Sequence, residues 1–317
     1  MKVVSVLPVD DRQKAYLESK IRAEFVYTSY EDVCEEMLVD ADVILGNVPP
    51  KMLSVCKHLQ LMQLNSAGTD GYTTPGVLAP ETKLANATGA YGLAISEHML
   101  GMLLMLQKKL GIYHDQQKEA LWKDAGTVTS IYGATTLVLG LGDIGSEFAK
   151  RVKALGSKVI GIRRTGGEKP NFVDVVDTTE NFHKYLPEAD IIAMSLPKTP
   201  ATYHIVNAEV FAQMKPGAIL LNVGRGTAID QEALYEALTK GTLGGCGIDV
   251  TDPEPLPADS PLWHCPNLLI TPHISGGFHL AETFERIVRI CGDNLEALAK
   301  GTPLKNEVDF TTGYRRR

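Results

Sequence analysis

The chain has 317 residues, 44% of them hydrophobic, enough to bury two cores of ordinary domain size. A formal net charge of −7 without a long basic run argues against a nucleic-acid partner and leaves Arg315-Arg316-Arg317 as a solvated tail. Five cysteines without metal-ligand spacing point to no metal site and to a reducing cytoplasm. The apolar runs before Pro8 and over 93–106 are too short for a signal peptide or a membrane span.

In chain order, strands are predicted near 3–7, 23–27, 43–45 and 61–64, with helical patterns at 12–21, 30–39 and 50–56 between them. That alternation reads as a parallel α/β domain of its own. A second series starts at Ala134 and continues through 158–162, 172–176, 191–194, 218–221, 244–248 and 268–270. A last helix over 280–299 follows once that sheet is complete, and the shorter first domain is its natural partner.

Within the second series, an apolar β-rich run leads into Gly140-Leu141-Gly142-Asp143-Ile144-Gly145. A helix with Ile144, Phe148, Val152 and Leu155 at helical spacing comes next, then a second strand. A glycine triplet alone is weak evidence; inside a strand–turn–helix–strand unit it is a dinucleotide fingerprint. The first glycine permits the turn, the second lets backbone approach a pyrophosphate, and the third lets helix pack on strand. The diphosphate belongs at the helix N-terminus, where free N–H groups favour anions.

The end of the second strand bears on the cofactor. An NAD site usually carries an acid there for the ribose 2′-hydroxyl. This chain has Arg163-Arg164-Thr165, with no acid before Glu168. Two guanidiniums suit a 2′-phosphate, so NADP is expected as cofactor and NAD is the alternative; a solvated basic loop is the bland reading.

Four segments in order carry a resemblance to a family: Asn65-Ser66-Ala67-Gly68-Thr69-Asp70, the glycine fingerprint, Asn222-Val223-Gly224-Arg225-Gly226, and Asp249 through Glu254 followed by Pro272-His273. Met214-Lys215-Pro216-Gly217-Ala218 and Leu196-Pro197-Lys198-Thr199-Pro200 accompany them. Over essentially its full length the sequence resembles the D-isomer-specific 2-hydroxyacid dehydrogenases. The resemblance implies an α/β fold of two doubly wound parallel-sheet domains with a cleft between them. One is a flavodoxin-like substrate domain over 1–98 with 276–317, the other a Rossmann cofactor domain over 99–275. It also implies a homodimer built through the helix and arm after Glu97, and cofactor contacts from Leu196, Pro197, Val223, Gly224 and His273.

Reducing a 2-keto acid requires a carboxylate anchor, carbonyl polarisation and a proton, besides hydride. Arg225 follows an apolar strand, where α/β sheets place ligands, and its fork can hold a carboxylate bidentately. His273 follows the last sheet strand, and imidazole suits proton transfer at working pH. Glu254, also just past a strand, would orient the ring. Glutamate there, where formate dehydrogenases of this family carry Gln, also disfavours formate oxidation. The other histidines, His98 and His264 among them, are read as structural. By resemblance Asp249 contacts the nicotinamide carboxamide and ribose; a strand-end Asp capping a turn is the alternative. Ser66, Ala67 and Gly68 offer backbone N–H groups to the substrate carboxylate, or form only a tight turn, and Asp70 is read as structural. Two other classes stay open: a dinucleotide-sensing, corepressor-like regulator on the same fold, and an amino-acid dehydrogenase, which would call for a catalytic lysine that no matching position supplies.

Overall fold

Alternating strands and helices build two parallel sheets in a computed structural model that describes residues 1–165, 167–313 and 315–316. The first sheet contains β1 (Lys2–Ser5), β2 (Glu24–Tyr27), β3 (Val43–Leu45), β4 (Leu61–Gln63) and β5 (Lys83–Ala85), ordered β2-β1-β3-β4-β5 with every pair parallel. This is the flavodoxin-like order. Between its strands run α1 (Asp11–Glu18), opened by a capping box from Asp10 to Gln13, and α2 (Glu35–Leu38).

Chain order then gives α3 (Gly92–Gln107), α4 (Leu110–Lys118), β6 (Thr135–Leu139), α5 (Asp143–Ala154), β7 (Lys158–Arg163), β8 (Val175–Thr178) and β9 (Ile191–Met194). After these come α6 (Ala208–Gln213), β10 (Ile219–Asn222), α7 (Gln231–Thr239), β11 (Gly245–Ile248), β12 (Leu268–Ile270) and α8 (Ala281–Lys300). The second sheet is ordered β12-β11-β10-β9-β6-β7-β8, again parallel throughout. Its strand order reverses between β6 and β9, the switch point of a doubly wound sheet. β9, β10 and β11 are buried at every position, as a sheet covered on both faces requires.

The chain divides into one unit of Met1–Tyr91 with Phe278–Arg317 and a second of Gly92–Gly277. The expected boundary at residue 98 falls inside α3, and the helix as a whole goes with the second unit. A Cβ on Gly92 would lie 2.8 Å from Asp143, and one on Gly247 of β11 would lie 3.1 Å from Met102. α8 packs in the first unit: Tyr16 of α1 lies against Gly292, and the fully buried Asn294 bonds Gln63 of β4 and the backbone of Lys305.

Local departures from the sequence reading have local causes. The helix expected over 30–39 is only α2, because Ser29 Oγ receives the Asp32 amide in a turn and Cys34 supplies no side-chain cap. Residues 50–55 form a 3₁₀ helix. β8 starts later than expected because a turn closes from Val173 N–H to the Pro170 carbonyl. Among the described residues, no helix is long and apolar enough to cross a membrane.

Candidate active site

In the second unit the predicted residues lie together along the carboxyl edge of the sheet. The fingerprint follows β6, Arg163 ends β7, Leu196 follows β9, Arg225 follows β10, Asp249 and Glu254 follow β11, and His273 follows β12. Since β6, β9, β10, β11 and β12 are consecutive in the sheet, their exit loops are neighbours, the placement that parallel α/β sheets use for ligands.

Glycines let these loops touch. A Cβ on Gly145 would sit 2.1 Å from the Gly140 carbonyl oxygen, so α5 can start against the strand only without a side chain there. Gly140 itself has φ +96. Gly224 lies against the Leu196 backbone, where a Cβ would come within 2.5 Å, and Gly226 lies against Thr251, where it would come within 2.0 Å. Over Gly142, by contrast, nothing comes within 4 Å of a Cβ position. The Gly142 and Ile144 amides donate to no described residue, and no side chain caps α5. An open glycine backed by unpartnered helix-start amides fits a diphosphate.

Arg163 is half-buried; its Nη1 donates to the Glu168 carbonyl at 3.1 Å, while its buried Nε has no partner among the described residues. Arg164 beside it is exposed. An unmatched guanidinium N–H is what an incoming anion would satisfy.

Arg225 is held at the turn by its own strand end. Asn222 receives the Gly224 amide at 3.0 Å and donates to the Arg225 carbonyl at 3.0 Å, and Arg225 Nη1 reaches the Gly224 carbonyl at 2.7 Å. The adjoining Gly226 packs on Thr251, whose amide donates to Glu254 Oε1 at 3.0 Å. The other oxygen, Oε2, lies 2.8 Å from His273 Nδ1. Ring nitrogen Nε2 has no partner among the described residues, and the His273 side chain is 49% exposed. The geometry is a ring oriented at one nitrogen and open at the other, as a general acid needs.

Asp249 has a different occupation. Its side chain is fully buried, and its carboxylate receives Thr271 Oγ1 at 2.5 Å, the Ile274 and Ser275 amides at 3.0 Å each, and the Ser275 hydroxyl. Its carbonyl accepts the His273 amide at 2.8 Å. That is the turn-capping arrangement, and it binds the loop carrying His273, which sits at φ +52. Sequence reasoning missed Thr271, Ser275 and also His98, whose Nε2 lies 3.0 Å from Thr271 Oγ1; the pattern of α3 carries no signal for that contact.

In the first unit, Ser66, Ala67 and Gly68 follow β4. Their carbonyls accept from the Ala87 amide, Asn86 Nδ2 and Ser66 Oγ respectively. Their amides donate to no described residue, which leaves three successive N–H groups available to an anion. Asn47 and Asn65 brace the loop reciprocally, and the Tyr91 hydroxyl donates to the Asn65 carbonyl. Burial pushes the Tyr91 phenol above its ordinary range, so it stays a donor.

The family of the D-isomer specific 2-hydroxyacid dehydrogenase NAD binding domain matches residues 100–275. The chain belongs to the D-isomer specific 2-hydroxyacid dehydrogenase family. It is 30% identical to the glyoxylate/hydroxypyruvate reductase B of Pectobacterium carotovorum over 92% of this chain and 94% of that one. A solved family protein from Aeromonas salmonicida is 33% identical, with TM-score 0.87 over 98% and 99% of the two chains. Another from Xanthobacter autotrophicus, in complex with NADPH and MES, is 25% identical, with TM-score 0.82 over 99% of each. The 2-hydroxyacid dehydrogenases bind a nicotinamide cofactor and are oxidoreductases acting on CH–OH groups, and nothing in these comparisons supports the regulator alternative.

Proposed function

We propose that this 2-hydroxyacid dehydrogenase works as a reductase of small 2-keto acids of the glyoxylate and hydroxypyruvate type, with NADPH preferred. The observation that carries this reading is the Glu254–His273 pair, with its open Nε2 on the sheet edge that also holds the fingerprint. When bound, a reduced nicotinamide supplies the hydride. The Gly142–Ile144 segment would hold the diphosphate at the start of α5, beside Leu196, Pro197, Val223 and Gly224. Arg163 and Arg164 would hold the 2′-phosphate. Arg225 anchors the substrate carboxylate and faces the carbonyl oxygen, where its charge favours developing alkoxide. His273 gives its Nε2 proton to that oxygen, and Glu254 holds the remaining proton on Nδ1. Asp249 serves by fixing the loop of His273. In the first unit, the Ser66, Ala67 and Gly68 amides are offered to carboxylate oxygen.

The same reading covers assembly and location. Leu110, Ile112, Leu121, Trp122, Val128 and Tyr132 are all exposed on α4 and the arm after it, Trp122 completely. A run of this kind is a protein-contact surface, and a second copy of the chain is the proposed occupant, giving a homodimer. The five cysteines are unpaired, in keeping with the cytosol.

The test is a panel of 2-keto acids assayed with NADPH and NADH. Turnover of glyoxylate or hydroxypyruvate to the D-hydroxy acid is expected, with the lower KM for NADPH. No turnover of any 2-keto acid with either cofactor would refute the reductase reading.

A further inference from the structure

His98 lies on α3, and Thr271 is 173 positions further along the chain; their side chains meet 3.0 Å apart, Nε2 to Oγ1. Donor and acceptor counting decides how. The Thr271 hydroxyl has one proton, and it goes to Asp249 Oδ1 at 2.5 Å. A carboxylate that already receives the Ile274 amide and both the amide and hydroxyl of Ser275 acts as an acceptor only. Thr271 Oγ1 is therefore left to accept, and His98 must carry its proton on Nε2. His98 Nε2 also lies 4.0 Å from Asp249 Oδ1, and its ring is 23% exposed.

This line ends on the backbone that presents His273. Thr271, Ile274 and Ser275 are tied to the Asp249 side chain, and the His273 amide is shared between the carbonyls of Asp249, at 2.8 Å, and Thr271, at 3.0 Å. His273 is held at φ +52, a conformation that single residues adopt only where surrounding bonds enforce it. We propose that His98 is a positioning residue for His273, acting by donating a hydrogen bond through Thr271 to Asp249. This rests on the reductase reading for its effect on turnover. His98 touches neither Glu254 nor His273, so its influence travels only through the loop.

The experiment compares His98→Leu, which removes the donor, with His98→Gln, whose side-chain amide can donate from the place of Nε2. His98→Leu is expected to lower kcat for keto-acid reduction about ten- to a hundred-fold while the NADPH dissociation constant stays near the wild-type value. His98→Gln is expected to restore kcat close to wild type. Thr271→Val, which also loses the bond to Asp249, should be at least as slow as His98→Leu, and adding His98→Leu to it should cost nothing further, because both break one line. If His98→Leu does not fold, His98→Asn, whose shorter amide does not reach the place of Nε2, makes the same comparison against His98→Gln. An unchanged kcat in His98→Leu, a His98→Gln as slow as His98→Leu, or additive losses would overturn the proposal.

Ring NMR of the intact protein supplies a readout that needs no turnover. Neutral His98 should carry its proton on Nε2, and His98→Leu should shift the His273 ring signals while His98→Gln leaves them in place. A proton on His98 Nδ1, or unmoved His273 signals in His98→Leu, also overturns it. A wild-type protein that reduces no keto acid would sink the reductase reading instead, and the ring signals would still decide the positioning.

Discussion

Replacing Glu254 with glutamine probes the dyad with almost no change of shape. In the wild type, Oε1 accepts the Thr251 amide at 3.0 Å and Oε2 faces His273 Nδ1 at 2.8 Å. Glutamine has one oxygen. If it stays on the Thr251 amide, its NH₂ faces Nδ1, which must then be bare. A ring protonated on Nδ1, both before and after it gives up the Nε2 proton, would meet a second donor. The bond lost is charge-assisted, a class that contributes about 1.5–3 kcal/mol. The two side chains are 49% and 37% exposed, so water replaces part of the interaction and the low end applies. Since each 1.4 kcal/mol is about tenfold, kcat for hydroxypyruvate should fall about tenfold. The same exposure limits the effect on folding to about 0–1 kcal/mol, so the thermal midpoint should barely move. Loss of NADPH absorbance measures the first quantity and a melting curve the second. Wild-type turnover in Glu254→Gln would remove Glu254 from the mechanism, and a large drop in melting temperature would recast the pair as structural.

His273→Ala should lower turnover by about 10²–10⁴-fold while the dissociation constant for NADPH, followed by fluorescence, stays unchanged. Arg225→Lys keeps the charge but loses the fork, so steady-state kinetics should show a higher KM and a lower kcat; a wild type that reduced neutral ketones as well as keto acids would contradict the carboxylate anchor. Gly226→Ala would drive a Cβ to within 2.0 Å of Thr251, so the loop must move; a stability loss of about 1–3 kcal/mol in urea titration is expected, with activity falling further as Glu254 is displaced. Arg163→Asp should reverse the cofactor order in KM measurements, and a wild-type preference for NADH would mean that the arginines serve only their own loop.

The βαβ unit around Gly140 to Gly145 is legible from sequence because its causes are local. Apolar strand runs, period-3.6 helix residues and glycines at a turn each act on their nearest neighbours. The same holds for α1, whose cap and partner lie three residues apart, and for the strands of the second sheet, whose apolar runs reflect burial on both faces. β5 was not legible. Lys83-Leu84-Ala85 has no strand signature, and it is a strand because β4 presents Leu61 to Gln63 on one side while Glu307 and Val308 pair with it on the other.

The side-chain partnerships were decided at a larger scale. Residue types and strand ends nominated Glu254 and His273, and the family resemblance added Asp249, yet which carboxylate faces the ring and which ties down the loop depends on sheet order. β11 and β12 are neighbours, so Glu254 meets His273 across 19 residues, and Asp249 turns inward to meet the backbone after β12. His98 reads as one more core-facing helix residue until α3 is laid across β10 and β11 and Thr271 arrives from 173 residues away. A hydrogen bond needs its partners within about 3 Å. No local pattern encodes that distance between remote segments, because the packing of the whole sheet and its helices sets it.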